Sequence, residues 1–303
     1  GWAETDMWTI LEGEDYPRLV WEKQPGELIT NIASSYGGGT GEPNDPYQIW
    51  TCEQFIEIAH RPEDFMKCFV LLADIDMVEI DSYEIIPIGS YQFPFIGLFD
   101  GKGHTISNFR CVYPGSSYTG VFGVVVWRGL SWKKPAGATG IIKDLNLTDA
   151  DVSGSSYTGS LVGYSVGQII DVSVTGLIEG ANYVGSLVGY SEGEIRNASS
   201  DAVTSGINYI GGLVGYNKNV VIGSCSSGVV NGNNQIGGLI GNQHSSSTIS
   251  SCKSTCQVDA TGMSVGGLVG ECGGQVTDCN AIGNVSGHKQ VGGLVGANSG
   301  NLQ

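Results

Sequence analysis

Asp74, Asp76, Glu79, Asp81 and Glu84 form the densest run of carboxylates in the chain. Carboxylates are what cleavage of a glycosidic bond or capture of a hard cation would need: paired acids divide the roles of general acid and base, and oxygen ligands suit calcium. Asp74 and Asp76 share one face of an extended strand by alternation and are the candidate pair for either chemistry. The run also lies where the regular part of the chain begins, so a solvated surface is the favoured reading. His60, His104, His244 and His288 are far apart and show no ligand spacing, and the eight cysteines include no CxxC pair that would suggest zinc. The expectation is a chain that is not an enzyme, with no catalytic residues and no cofactor; calcium at Asp74 and Asp76 is the alternative.

A second group has binding rather than catalytic character. Trp127, Arg128, Trp132, Lys133 and Lys134 gather two indoles and three cations in a chain of net charge −16. They interrupt the regular spacing of the sequence, and insertions in repeat proteins map to loops that make contacts. Tryptophan and arginine suit a protein interface, and an exposed indole can stack on a sugar, so subunit contact, glycan binding and packing on the parent surface all stay open.

The elements that must position these residues are written in the second half. Leu161, Leu187, Leu213, Leu239, Leu268 and Leu294 centre six near-identical pentapeptides at intervals of 26, 26, 26, 29 and 26 residues. A fixed period of this size means one supersecondary unit stacked many times. Between pentapeptides, small or apolar residues fall at every second position, as in Val172/Val174/Gly176/Ile178, Ala198/Ser200/Ala202, Cys225/Ser227/Val229, Cys252/Ser254/Cys256/Val258 and Cys279/Ala281/Gly283/Val285. Alternation places each set on one strand face, and repetition stacks like residues into columns. The predicted fold is all-β: a parallel β-helix (β-solenoid) of about eight coils, with a short N-terminal capping helix and an extended N-terminal segment. Glycine, at 48 of 303 residues, is expected at positive-φ corners and where neighbouring backbones approach closely, as at Gly212. The cysteines in the columns read as small buried thiols, inter-coil disulfides being the alternative, and Cys272 as a turn residue.

The pattern of Ile210-Gly-Gly-Leu-Val-Gly-Tyr216 resembles the GLUG motif of bacterial surface proteins and adhesins. Phe95 to Asn108 is similar to the segment that opens such arrays, and Trp8 to Glu22 to the segment that terminates them. The resemblance covers roughly residues 40–303 and implies an extracellular or cell-surface structural protein. Phe122 departs from the Leu-Val pattern where the first coil of this kind is expected.

Thr51-Cys-Glu-Gln54 fits a helix capping box ahead of Phe55, Ile56, Ile58 and Ala59, which predicts a helix over 51–60 closing one end of the stack. The division expected is 1–30, an extended segment like an array terminator; 31–50, a linker and lead-in; 51–125, cap and first coils; 126–140, the irregular insertion; and 141–303, the repeat array. No cap follows Leu294 and Val295 in the sequence. Trp2, Trp8, Leu11, Tyr16 and Trp21, which belong to no repeat, are therefore expected to cover that end in a neighbour, giving a head-to-tail homopolymer or tandem array. The acidic balance excludes nucleic acid as a partner, and no apolar run reaches the ~20 residues of a membrane span.

Overall fold

The computed structural model describes residues 8–9, 18–19, 36–82, 85–126 and 140–303. From Tyr47–Ile49 onward the chain winds into a parallel β-solenoid of about nine turns, one more than the repeats suggest. Three strand stacks run along it. One carries the long strands Ile141–Ser153 and Gln168–Glu179; one stacks six short strands from Ser156–Thr158 to Lys289–Gly292; one stacks seven from Phe122–Val125 to Val295–Asn298. Every pairing among these stacks is parallel, Val188 facing Val214 and Tyr190 facing Tyr216, for example, and the register shifts by one residue between Leu147 and Ala150 where Ile141–Ser153 meets Gln168–Glu179.

The interior follows from the repetition. Leu161, Leu187, Leu213, Leu239 and Leu268 have 0% exposure, and the following Val162, Val188, Val214, Ile240 and Val269 form a second buried column. Burying each leucine contributes about 1.5–3 kcal/mol. In the first coils the column becomes aromatic: Phe95 lies 5.1 Å from Phe122 and 6.1 Å from Phe69, centroid to centroid. The helix Cys52–His60 closes this end, with Phe55 and Ile58 buried and the Phe55 ring 6.0 Å from Phe99. Thr51 Oγ1 accepts the Gln54 N–H, and Gln54 Oε1 accepts the Trp50 N–H at 2.8 Å, which ties down donors at the helix start.

Four register expectations are corrected. Phe122 pairs with Val162, not Leu161, so Val121 takes the leucine position and the phenylalanine fills the neighbouring slot. Cys225 is exposed and pairs with Ser199 and Lys253; Ser224 and Ser226 point inward instead. Cys272 is a fully buried strand residue. Val285 is half-buried because its coil has a neighbour on one side only.

Glycine divides its work differently from the expected pattern. The left-handed corners of the repeats are filled mainly by other residues, among them Tyr157, Tyr183, Tyr209 and Gln235 at φ 55–61°, and Asp144, Asp171 and Asn197 at φ 51–55°. The paired glycines serve close approach: a Cβ on Gly212 would stand 2.0 Å from the Gly238 carbonyl oxygen of the next coil.

Candidate functional site

Asp74 and Asp76 lie on the surface, and their carboxylates hold two coils together. Asp74 Oδ1 accepts the Thr105 N–H at 2.9 Å and lies 3.1 Å from His104 Nδ1. Asp76 Oδ1 accepts from Asn108 Nδ2 at 2.7 Å and from the Val78 N–H at 3.0 Å. The Thr105 N–H, then His104, hold Asp74 below the usual carboxylate range; the Asn108 amide, then the Val78 N–H, do the same for Asp76. The Oδ1 atom of each is committed to donors of the chain itself. Among the described residues no three His, Cys, Asp or Glu side chains converge as a metal site would require.

In the last described coil Asn280–Ala281, Val285–Ser286, Lys289–Gly292 and Val295–Asn298 each pair with the preceding coil, and among the described residues no strand pairs with their other edge. Leu294 and Val295 pack against the core but remain partly exposed, and Ile282, Val291 and Leu302 are 67%, 44% and 41% exposed. Such an edge presents unpaired backbone groups above an uncovered apolar column. Among the residues expected to cover it, Trp2, Leu11, Tyr16 and Trp21 lie outside the described residues. Trp8 is described only as backbone, in a strand Trp8–Thr9 antiparallel to Arg18–Leu19. Trp127, Arg128, Trp132, Lys133 and Lys134 also lie outside the described residues.

The most ordered lateral feature is one the sequence reading missed: two tyrosine rows. Tyr118, Tyr157, Tyr183 and Tyr209 stack with centroids 4.9, 4.9 and 4.6 Å apart and planes within 6–12°. Tyr164, Tyr190 and Tyr216 form the second row at 5.4 and 4.8 Å. The rows meet edge to face, as at Tyr183 and Tyr190, 5.6 Å apart and 74° inclined. The spacing follows from strand pairing, which sets successive coils about 4.8 Å apart. A signal was present, since Tyr157, Tyr183 and Tyr209, and separately Tyr164, Tyr190 and Tyr216, recur at the 26-residue period. At its N-terminal end the first row continues to Tyr91, 6.1 Å from Tyr118, beside a solvent-open cavity of about 340 Å³. At the other end Gln235 and Asn242 replace the rings.

No family model matches the chain. Halomucin of Haloquadratum walsbyi is 30% identical over 168 residues, which is 52% of this chain and 2% of halomucin. A provisionally named Gly-rich membrane protein of Evansella cellulosilytica is 32% identical over 150 residues, 47% of this chain and 16% of that protein. The chain thus spans a small part of the curated relatives it matches. Among solved structures, a provisionally named immunoglobulin A1 protease from Bacteroides ovatus superposes with a TM-score of 0.67 at 21% identity, over 86% of this chain and 87% of the other. A second, named IgA1 protease, gives 0.56 at 15% identity, over 84% of this chain and 21% of the other. At these identities the likeness is one of fold, and the fold is the parallel β-solenoid described above. The expectation that the chain is not an enzyme is corrected: the same architecture is carried by two proteins named as proteases, and the fold leaves activity open.

Proposed function

We propose that the chain is a GLUG-type repeat segment of an extracellular, cell-surface protein, and that it builds length by stacking solenoids end to end. The observation carrying this reading is the rung-on-rung register of the stack, Val265 on Val291 and Val269 on Val295, which a further rung of the same kind would continue. Such a rung pairs strand edges and covers the apolar column in one step. The occupant in this reading is the 1–30 segment of a second copy, with Trp2, Trp8, Leu11, Tyr16 and Trp21 over Leu294 and Val295, or the equivalent surface of a tandem neighbour. A head-to-tail contact of that kind propagates unless its rotation closes a ring. The surface location draws support from the membrane protein among the relatives. No helix among the described residues is long and apolar enough to cross a membrane.

Sedimentation of the intact chain over a wide concentration range tests the proposal. Concentration-dependent oligomers are expected, with loss of assembly and retained β-structure in a Leu294→Asp, Val295→Asp variant. A chain that stays monomeric at every concentration, or a double variant that assembles as before, overturns self-stacking.

A further inference from the structure

We infer that the cavity at the head of the tyrosine rows is a binding site for a neutral oligosaccharide. This site is separate from the solenoid end, and the inference stands whether or not the chain stacks. The cavity lies between the segment around Pro87 to Tyr91 and the turn from Tyr113 to Thr119, and at about 340 Å³ it is near the lower end of the ~300–1,000 Å³ of small-molecule sites. Its chemistry has three parts, and together they select the ligand.

The first part is an aromatic platform. Tyr91 is 58% exposed, stacks on Tyr118, and meets no further ring among the described residues. Tyr118 is covered on its other side by Tyr157 at 4.9 Å, so Tyr91 is the terminal ring of the row. A terminal aromatic face can take the C–H face of a pyranose while its hydroxyl stays in water. The second part is hydroxyl groups. Ser116 and Ser117 are exposed and their hydroxyls make no hydrogen bond to described residues, while the Tyr113 hydroxyl donates to the Ser82 carbonyl at 3.2 Å and keeps its acceptor capacity. The third part is the lack of charge among the described residues that line the cavity, which include no Asp, Glu, Lys, Arg or His.

An anionic ligand would meet a net charge of −16 with no cation among the described lining residues to offset it, and a cation would find no carboxylate among them. A wholly apolar ligand would strand the serine hydroxyls. A neutral polyhydroxylated ring satisfies all three parts. An extended peptide is a poorer fit, because the strands beside the rows, such as Asn182–Gly185, are already paired on both sides and offer no free edge. The hydroxyls of Tyr157, Tyr183 and Tyr209 make no hydrogen bond to described residues, so the row leads away from the cavity as a rail of free phenols spaced one coil apart. The ligand is accordingly a chain of sugars lying along the solenoid axis rather than a single ring.

Calorimetric titration of the intact chain with cellohexaose, xylohexaose, mannohexaose and chitohexaose, beside polygalacturonate and a tyrosine-rich peptide as comparisons, tests the inference. At least one neutral oligosaccharide is expected to bind. Tyr91→Ala should weaken it about tenfold or more, Tyr91→Phe should retain it because the ring face is what matters, and Ser117→Trp should block it by filling the cavity mouth. Tyr91 and Ser117 are exposed, so all three variants should melt with the parent, and Ser117→Trp decides the matter if Tyr91→Ala folds poorly. No binding by any neutral member, saturable binding of polygalacturonate or the peptide alone, or sugar binding that survives both Tyr91→Ala and Ser117→Trp overturns it.

Discussion

Leu239 and Leu294 hold the same place in their repeats but not the same surroundings. Leu239 is fully buried between coils on both sides, whereas Leu294 has a coil on one side and is partly exposed. Truncating a buried leucine forfeits its transfer energy and leaves a cavity, so Leu239→Ala should cost about 2–5 kcal/mol in urea unfolding. Leu294→Ala, measured where the chain is monomeric, should cost distinctly less. Equal costs would contradict the one-sided environment of the last coil. The leucine column was legible because the pentapeptide recurs at 26 residues in four of its five intervals. Cys225 was not, because paired residues step by 28 rather than 26 or 27 across this coil, as at Val221 and Ile249. The added residues fall in the turn around His244 to Ser247, and alternation carried across it by counting lands on the wrong face. At Gly212 room for a side chain is small but not nil: a Cβ there would press on the Gly238 carbonyl oxygen, yet the equivalent Ser160 and Ser186 are accommodated with their hydroxyls on the next coil's carbonyl. Gly212→Val, branched at Cβ and without such a hydrogen bond, should destabilise by about 1–3 kcal/mol through overpacking.

At the scale of elements, the capping helix and the tyrosine rows differ in how far the sequence announced them. Thr51 and Gln54 mark a helix start by their spacing alone, and the helix begins at Cys52. The tyrosines carried a 26-residue signal, but Tyr157, Tyr183 and Tyr209 sit at left-handed corners, where the alternating rule for strands does not assign a face. Their packing has a pH consequence. Burial, reinforced by the Glu192 carboxylate, pushes the Tyr164 phenol up to about 12 from its ordinary 10.0. Burial also raises Tyr118, Tyr183 and Tyr216. The folded state favours the neutral Tyr164 phenol, whereas in the unfolded chain it ionises near pH 10. Its stabilising contribution is therefore complete below about pH 10 and is lost as pH rises through about 12. Thermal melts across that window should fall steeply for the parent and less steeply for Tyr164→Phe, with tyrosinate absorbance of the parent appearing above the value for free tyrosine. Identical alkaline profiles for the two proteins would remove Tyr164 from this account.

For the molecule as a whole, architecture was legible because a solenoid repeats its own evidence: one coil read correctly fixes the parallel pairing of the next. The contacts of residues 1–30 were not, since no periodic partner constrains them, and activity was not, since a stack of hydrophobic columns is compatible with many sites grafted on its sides. The same one-dimensional design predicts how the chain comes apart. Each coil touches only its neighbours, so stability is approximately a sum of coil and interface terms and is lowest where one interface is missing. The N-terminal end has the Cys52–His60 helix and the Phe69, Phe95, Phe99 and Phe122 cluster to hold it. Among the described residues no helix or aromatic cluster covers the last coil, where Asn280–Ala281 and Val285–Ser286 are short strands paired on one side. Hydrogen exchange on the monomeric chain should therefore be slowest in the central coils around Leu187 to Leu239 and fastest from Asn280 to Gln303, with protection decreasing coil by coil toward that end. Occupation of the open rung by a second solenoid should raise protection there first, leaving the central coils unchanged. Uniform protection from Leu161 to Leu302 would mean that the stack opens only as a single cooperative unit, and the nearest-neighbour description would fail.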